Sequence, residues 1–266
     1  MSLFDRLATA LRDDVPVATA TLVRPAGRAG AKLLVYLNGS GEGTLGDPAL
    51  DARVRADAVA LLRNGVSEVR VYPAADDSDD AVAVFVESYA PLPRLLIMGS
   101  VHAAPALCAL AARVGYRVIV IDARATYTTP ERFPDAAEII VAWPHRALET
   151  LPPLDAATYV AVLTHDPKFE EPLLPILLRS DARYVGMIGS RRTQAQRRAL
   201  LRGKGVTEEE LARLHGPIGL DIGAVTPEEI GIAVLAEMTA IKYGRTARPL
   251  KDVLDVTTAT VAGAGV

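Results

Sequence analysis

The sequence predicts an α/β protein in which a smaller N-terminal α/β domain precedes a Rossmann-like domain with a parallel sheet. From residue 94 onward, short apolar segments alternate with helical segments, which is typical of a parallel sheet covered by helices on both faces. Before residue 88, four β-rich segments and two helical segments lack that alternation. Between the two regions, the stretch Ser-Tyr-Ala-Pro-Leu-Pro at 88–93 breaks the periodicity and predicts a domain boundary.

The N-terminal domain is predicted over residues 1–88. Leu3–Asp13 has the periodicity of a short amphipathic helix. Asp47-Pro48 predicts the start of a longer helix, because aspartate caps helices and proline fits their first turn, and Asn64-Gly65 predicts its end. The acidic run Asp76–Asp80 is interpreted as a solvated hairpin loop. The predicted strands are Val17–Val23, Lys32–Leu37, Glu68–Tyr72 and Ala81–Glu87.

The Rossmann-like domain is predicted over residues 94–256, with a flexible tail over 257–266. The tail contains only Thr, Ala, Val and Gly, which favours fraying. The predicted strands are Arg94–Met98, Arg117–Ile121, Glu138–Ala142, Tyr159–Leu163 and Tyr184–Ile188. The predicted helices are Ala103–Val114, Lys168–Arg179, Arg191–Arg202 and a long helix from the Thr226 cap to about Tyr243.

Composition excludes several classes of protein and site. Lys and Arg number 29 against 32 Asp and Glu, so the basic surface of a non-specific nucleic-acid binder is not expected. The single cysteine, Cys108, excludes an intramolecular disulfide and a CxxC zinc site, and its place among apolar helical residues predicts a buried side chain. His145 and His215 lack partners at ligand spacing, so no metal site is predicted.

The sequence also carries no targeting or catalytic signature. The N-terminus lacks the pattern of a signal peptide, and no apolar run approaches the ~18 residues of a membrane helix. We therefore expect a cytoplasmic protein with no membrane partner. Because no Tyr-Lys or Cys-His pairing typical of a catalytic centre is evident, no catalytic residue is assigned.

A glycine-containing turn follows the first predicted strand of the second domain. Gly99, Ser100 and His102 lie between this strand and a helix, where helix N–H groups can bind a phosphate. Asp122 ends the next strand, at the position of a ribose-binding acid. Val101 takes the place of the second glycine of GxGxxG, where a β-branched side chain obstructs a pyrophosphate. We expect a nucleotide-binding fold without the complete NAD pattern.

Two further loops contain polar side chains near predicted strand ends. His165 and Asp166 follow an apolar strand and can position a proton or hold a polar ring; alternatively, Asp166 only caps the next helix. Asp221 lies in the glycine-containing loop 216–223, which suits close approach of a ligand or equally a structural turn. Both loops are therefore candidate parts of one site.

The turn at Gly189 and Ser190 predicts an anion-binding site. A hydroxyl side chain, free helix N–H groups and the guanidinium groups of Arg191 and Arg192 together suit a phosphate. The alternative is a solvated basic helix face, because further arginines continue along the helix between residues 197 and 202.

These segments together resemble the XdhC/CoxI family, the accessory factors of xanthine dehydrogenase and related molybdenum hydroxylases. The strongest matches are YVGMIGSRRT at Tyr184–Thr193 and HGPIGLDIGAVTPEE at His215–Glu229. Shorter matches are Tyr116–Arg124, Pro130–Pro134 and Thr164–Asp166. Both long blocks are too specific for chance to be a good explanation.

The resemblance implies a protein, commonly a homodimer, that binds molybdenum cofactor (molybdopterin), supports its sulfuration and helps to insert it into a hydroxylase. The implied partners are a cysteine desulfurase and a xanthine dehydrogenase-type molybdenum hydroxylase subunit. The resemblance also indicates where the cofactor binds. The implied positions are the turn Gly99–His102, Asp122, His165-Asp166, Ser190–Arg192 and Asp221.

The sequence departs from the family pattern at three places, and these keep two alternatives open. The family's Gly-Ala-Gly-His turn reads Gly-Ser-Val-His at Gly99–His102, its glycine-rich stretch corresponds to Gly43–Pro48, and its Cys-Gly-Gly corresponds to Ser78–Asp80. One alternative is an NAD(P)-binding oxidoreductase, which Asp122 and the Rossmann-like half favour. The other is a protein-binding module that has lost the cofactor site.

Overall fold

The computed structural model describes residues 2–13, 15–24, 29–73, 81–90, 92–100 and 102–253. The predicted acidic loop Asp76–Asp80, Val101, the Ser78–Asp80 correspondence and the predicted tail 257–266 lie outside the described residues. The chain divides into two compact units. The first comprises Met1–Arg94 with Leu154–Thr158, and the second comprises Leu95–Pro153 with Tyr159–Val266.

The first unit contains an antiparallel five-stranded sheet in the order β3-β2-β1-β5-β4. Successive side chains of β1 point to opposite faces of the sheet. Helices α1 and α2 both contact the sheet. The strands are β1 (Val17–Arg24), β2 (Lys32–Tyr36), β3 (Gly41–Gly43), β4 (Glu68–Tyr72) and β5 (Val82–Tyr89); the helices are α1 (Leu3–Arg12) and α2 (Pro48–Asn64).

Helix α2 begins and ends as the sequence predicts. Asp47 caps it by accepting a hydrogen bond from the Ala49 amide, and Gly65 ends it in the left-handed conformation, with φ 60°. Each large apolar side chain buried against the sheet contributes about 1.5–3 kcal/mol. The buried residues of this face are Leu50, Val54, Ala58, Leu61 and Leu62.

The second unit contains a six-stranded sheet in the order β11-β10-β9-β6-β7-β8, with parallel pairing of β7 with β8 and of β10 with β9 and β11. This is the strand order of a doubly wound nucleotide-binding fold. The strands are β6 (Arg94–Met98), β7 (Arg117–Ile121), β8 (Glu138–Ile140), β9 (Thr158–Val162), β10 (Tyr184–Met187) and β11 (Leu214–His215). The helices are α3 (Ala104–Arg113), α4 (Pro144–Thr150), α5 (Pro167–Arg179), α6 (Arg191–Gly203), α7 (Glu208–Ala212) and α8 (Pro227–Lys242).

The two sheets confirm the predicted fold class, an antiparallel α/β region followed by a Rossmann-like parallel sheet. The strand predicted at Glu138–Ala142 was predicted two residues too long, because β8 ends at Ile140. The sequence did not predict helix α4 or the two-residue strand β11, because elements this short show too little periodicity. Within the described part of the chain, no helix is both long and apolar enough to cross a membrane.

Candidate functional site

The order of the parallel sheet reverses between β6 and β9. From β6 the chain proceeds outward through β7 to β8, and it then returns to β9 and proceeds to β11. The Gly99 amide donates to the Ile121 carbonyl at 2.9 Å and the Leu163 amide donates to the Met98 carbonyl at 2.8 Å, so these strand ends lie side by side. Ligands of open α/β sheets bind outside the carboxyl ends at such a reversal. Every loop singled out in the sequence follows a strand at this edge.

The carboxylate of Asp122 joins the turns after β6 and β7. Its Oδ2 accepts from the Ser100 amide at 2.9 Å, the Ser100 hydroxyl at 3.0 Å and Nη2 of Arg124 at 2.6 Å. Its Oδ1 accepts from the amide and Nε of Arg124, both at 2.9 Å. Burial would raise the pKa of Asp122, but the hydrogen bonds from Arg124 and Ser100 outweigh burial and hold the pKa below its usual value.

This network gives Asp122 a definite structural role. The residue is 2% exposed, and both carboxylate oxygens accept from donors of the chain itself. A ribose hydroxyl would have to displace one of those donors to bind Asp122. The Thr128 hydroxyl adds a further link, because it donates to the Arg124 carbonyl at 3.0 Å and lies 3.2 Å from the Ser100 hydroxyl.

The turn after β6 has unusual backbone conformations on both sides of residue 101. Gly99 has φ 107°, and a Cβ at this position would lie 2.9 Å from the amide nitrogen of Thr164, so only glycine fits against the neighbouring turn. His102 has φ 49°, which is costly for a residue with a Cβ, and its side chain is exposed. Backbone strain of this kind concentrates at functional sites.

The structure places His165 and Asp166 on the surface after β9. Asp166 caps α5, because its Oδ1 accepts from the Lys168 amide at 3.0 Å. The pKa of Arg124 is raised chiefly by its hydrogen bonds to Asp122, and the charge of Asp166 contributes to the same shift. The charge of Asp166, in the turn after β9, therefore acts on a side chain of the turn after β7.

The turn after β10 presents two free cations. Gly189 has φ 130°, and Ser190 caps α6 by accepting from the Thr193 amide at 3.2 Å. Arg191 and Arg192 are exposed, and neither guanidinium group makes a hydrogen bond or ion pair with another residue that the structure describes. This arrangement places two guanidinium groups in the turn after β10, at the carboxyl edge of the sheet.

The other arginines of α6 do not form a solvated basic face. Arg197 is 6% exposed and donates from Nε to Glu170 at 2.8 Å. Arg198 donates to the backbone carbonyls of Leu211 in α7 and Leu214 in β11, both at 2.8 Å, and Arg202 pairs with Glu208. The interpretation of a solvated basic face is therefore wrong for Arg197 and Arg198, which are held by partners elsewhere in the chain, whereas Arg202 remains exposed.

Sequence reasoning missed a buried polar group beneath this turn. Gln194 is 3% exposed and its Nε2 donates to the Met187 carbonyl at 2.9 Å, while its Oε1 accepts from Nη1 of Arg197 at 2.7 Å. A Cβ on Gly216 would lie 2.5 Å from the same Oε1, so the loop after β11 packs directly on this amide. The only sequence signal is a polar residue at a position that the helical period places toward the sheet.

The loop that carries Asp221 is fixed by a different acid. Asp221 is exposed, whereas Glu237 accepts from the Tyr184 hydroxyl at 2.6 Å, the Gly219 amide at 2.8 Å and Nδ1 of His215 at 3.0 Å. Burial would raise the pKa of Glu237, but these three donors outweigh it and hold the pKa below its usual value. His215, which has no partner at metal-ligand spacing, thus belongs to a structural hydrogen-bond network.

Comparison with known families agrees with this architecture. Residues 95–238, more than half of the chain, match the model of the XdhC Rossmann domain, and residues 10–73 match the XdhC and CoxI family. The chain belongs to the XdhC and CoxI family. The reversal between β6 and β9 therefore lies within the XdhC Rossmann domain.

Several relatives of this XdhC chain are known by name. YqeB, an uncharacterized protein of Escherichia coli, is 31% identical over 91% of this chain and 46% of its own length. A probable xanthine dehydrogenase subunit of Bacillus subtilis is 34% identical over 60% of this chain and 46% of its own length. The molybdenum cofactor insertion chaperone PaoD of E. coli is 28% identical over 59% of this chain and 43% of its own length. The chain thus spans less than half of each of these curated relatives.

A solved structure shares the fold of this XdhC chain. It is described as a xanthine dehydrogenase from Bacillus halodurans, and it matches with a TM-score of 0.54 over 95% of this chain and 98% of its own. The sequences are 21% identical, so the likeness concerns the fold alone.

Proposed function

We propose that this chain is an accessory protein that binds molybdenum cofactor and supports its sulfuration and its insertion into a xanthine dehydrogenase-type molybdenum hydroxylase. Family membership supports an accessory role, and the relatives named as a cofactor insertion chaperone and as a probable xanthine dehydrogenase subunit support this cofactor and this partner. A cysteine desulfurase as sulfur donor and a homodimeric state in the cytoplasm complete the proposal.

One observation of the structure carries the proposal. Arg191 and Arg192 lie at the carboxyl edge of the sheet without an internal partner in the described part of the chain, whereas the later arginines of α6 are engaged. Molybdopterin carries a phosphate, and guanidinium groups bind phosphate through paired, charge-assisted hydrogen bonds. The donors available at this edge therefore suit the anionic end of the cofactor.

The remaining candidates would act on the rest of the cofactor. His102 and His165 are exposed at the two turns that flank the strand reversal, where they can donate to a polar ring. Asp122 would hold the turn after β6 in place through Ser100 rather than touch the ligand. In this arrangement the chain binds, orients and shields the cofactor without changing it.

The single cysteine limits how sulfuration can proceed. Cys108 is 1% exposed, and burial raises the pKa of its thiol to about 11. A buried, protonated thiol neither coordinates the metal nor carries a persulfide. In this proposal Cys108 therefore does not serve as a sulfur relay.

Titration of the purified chain with released molybdenum cofactor in the absence of oxygen tests the proposal. We expect saturable binding near one cofactor per chain. Arg191→Ala and Arg192→Ala are each expected to raise the Kd by about 10- to 100-fold, because a charge-assisted hydrogen bond contributes about 1.5–3 kcal/mol. Arg202→Ala is the matched control on the same helix, since it removes only an exposed pair with Glu208 and should bind normally.

The outcomes separate the alternatives. Normal binding by the Arg191 and Arg192 variants would remove the anion site from the proposal. In a parallel titration, binding of NADP⁺ without binding of the cofactor would favour an NAD(P)-dependent oxidoreductase. Binding of neither ligand would favour a protein-binding module.

A further inference from the structure

Arg124 and Trp143 are not part of the predicted site, but they follow strands β7 and β8 at the same edge of the sheet. Strands β7 and β8 are parallel, with Ile121 opposite Ile140, and the Asp122 amide donates to the Ile140 carbonyl at 3.2 Å. Arg124 and Trp143 each lie three residues beyond that registered pair. The two loops therefore begin at neighbouring positions on adjacent strands.

The indole ring of Trp143 is backed on one side and open on another. Its centroid lies 4.7 Å from that of Phe169, at an interplanar angle of 47°, and 6.1 Å from that of His145. Phe169 is buried in the first turn of α5, whereas Trp143 is 42% exposed. A large aromatic side chain held by packing but accessible to solvent is suited to stacking against a planar ring.

His145 adds an unsatisfied polar atom beside this ring. Its Nδ1 is shielded from solvent, yet it has no hydrogen-bond partner within the described residues. Buried polar atoms without partners are uncommon in native proteins, so this nitrogen is available for a group that the chain does not supply.

Arg124 connects this aromatic group to the predicted site. Asp122 fixes its guanidinium plane through two hydrogen bonds, of 2.9 and 2.6 Å, while 41% of the side chain remains exposed. The charge of Asp166 reaches Arg124, and the Phe169 amide donates to the Asp166 carbonyl at 2.9 Å. Asp166, whose charge acts on Arg124, and Phe169, which packs on Trp143, thus belong to the same turn at the start of α5.

We propose that Trp143, backed by Phe169, forms a stacking subsite for a planar heteroaromatic ring of the bound ligand, with the guanidinium group of Arg124 held over Tyr127 at the end of the adjacent strand. The inference rests on the proposed function and specifies where a ring of the cofactor binds. Proteins hold nucleobases and similar rings on exposed aromatic faces and on guanidinium planes. In doubly wound folds each half of the sheet binds one part of an extended ligand.

The spacing of the strands indicates the shape of that ligand. Four strand intervals separate β8 from β10, and adjacent strands lie about 4.8 Å apart, so the two strand ends are roughly 19 Å apart. A ligand that contacts both Trp143 and Arg191 must be extended. The ring at Trp143 is therefore either a pterin or a nucleobase attached to it, and the two sources are distinguished by experiment.

Intrinsic fluorescence reports on this subsite directly, because Trp143 is the single tryptophan of the chain. Released molybdenum cofactor is expected to quench the emission saturably, whereas inorganic phosphate should leave it unchanged. Titration with 6-hydroxymethylpterin, with CMP and with AMP identifies the ring: quenching by the pterin alone indicates a pterin subsite, and quenching by a nucleotide alone indicates a nucleobase subsite. Absence of quenching by the cofactor, when calorimetry shows that it binds, would overturn the proposal.

Substitution of Trp143 gives the second readout, with binding measured by calorimetry. Trp143→Leu keeps an apolar contact with Phe169 but removes the aromatic face, and it is expected to raise the Kd of the cofactor by about 5- to 150-fold. Trp143→Phe should bind within about fivefold of the original chain. Tyr243→Leu is the matched control, because Tyr243 is a half-exposed aromatic residue at the opposite end of α8 from the Thr226 cap.

The result also separates this inference from the proposed function. If Arg191→Ala weakens binding and Trp143→Leu does not, the stacking subsite is refuted while the cofactor-binding function stands. If the chain binds no cofactor, both are refuted. An unchanged thermal midpoint of Trp143→Leu verifies that its effect concerns binding.

Discussion

Asp122→Asn tests whether one buried carboxylate holds the two turns next to the strand reversal. The substitution keeps the size of the side chain but replaces one acceptor oxygen by an NH₂ group, which faces Ser100 or Arg124 donors that it cannot satisfy. Because Asp122 is 2% exposed and Ser100 is fully buried, water does not replace the lost hydrogen bonds.

The expected cost follows from these contacts. A hydrogen bond to a charged acceptor contributes about 1.5–3 kcal/mol, and an unsatisfied buried donor costs a similar amount. The hydrogen bonds from Arg124 add little to this cost in the free energy of unfolding, because water can hydrate its half-exposed guanidinium group when its partner is lost. We expect a loss of about 2–3 kcal/mol in the free energy of unfolding, or roughly 4–12 °C in the thermal midpoint.

The effect also has a definite pH dependence. The pKa of Asp122 in the folded chain lies below 3.8, so its stabilisation is complete above the unfolded pKa and disappears as the pH falls through the lower folded pKa. The difference in stability between the original chain and Asp122→Asn should thus be constant from about pH 5 to pH 8 and shrink below about pH 4.

Urea denaturation followed by circular dichroism measures both quantities. Asp135→Asn is the control, because Asp135 is an exposed acid of the same unit and its substitution should change stability by less than about 0.5 kcal/mol. The reasoning would be refuted if Asp122→Asn cost no more than this control, or if the difference between the two chains were the same at every pH.

Two further stability predictions follow from the site. His102→Gly should raise the free energy of unfolding by about 0.5–1 kcal/mol, because relief of the left-handed strain exceeds the added entropy of glycine; a lower thermal midpoint would contradict this. Glu170→Leu should cost about 3–5 kcal/mol by leaving the buried charge of Arg197 without its counterion. Adding Arg197→Met should recover part of this loss, because it removes the buried charge but also the donor to Gln194 Oε1. Urea titrations of Glu170→Leu and of the double variant measure the coupling between Glu170 and Arg197. Equal stability of these two variants would disprove it.

The sequence alone determined the fold class and placed the candidate loops at one edge of the sheet. Continuous apolar segments such as β6 and β10 indicate strands buried on both faces, and their alternation with helices allows few arrangements other than a parallel sheet. Since parallel strands end at one edge, the order of strands and loops was enough to group the loops at Gly99, His165 and Gly189.

Only the tertiary structure decided which side chains at that edge are free to bind a ligand. Arg197 and Arg191 belong to one basic helix, but Glu170, which pairs with Arg197, is 27 residues away in sequence. Asp122 has the position of a ribose-binding acid, yet Ser100 and Arg124 occupy its carboxylate. The helical and strand periods fix the face on which a residue lies, whereas its burial and its partners depend on segments distant in sequence that packing brings together.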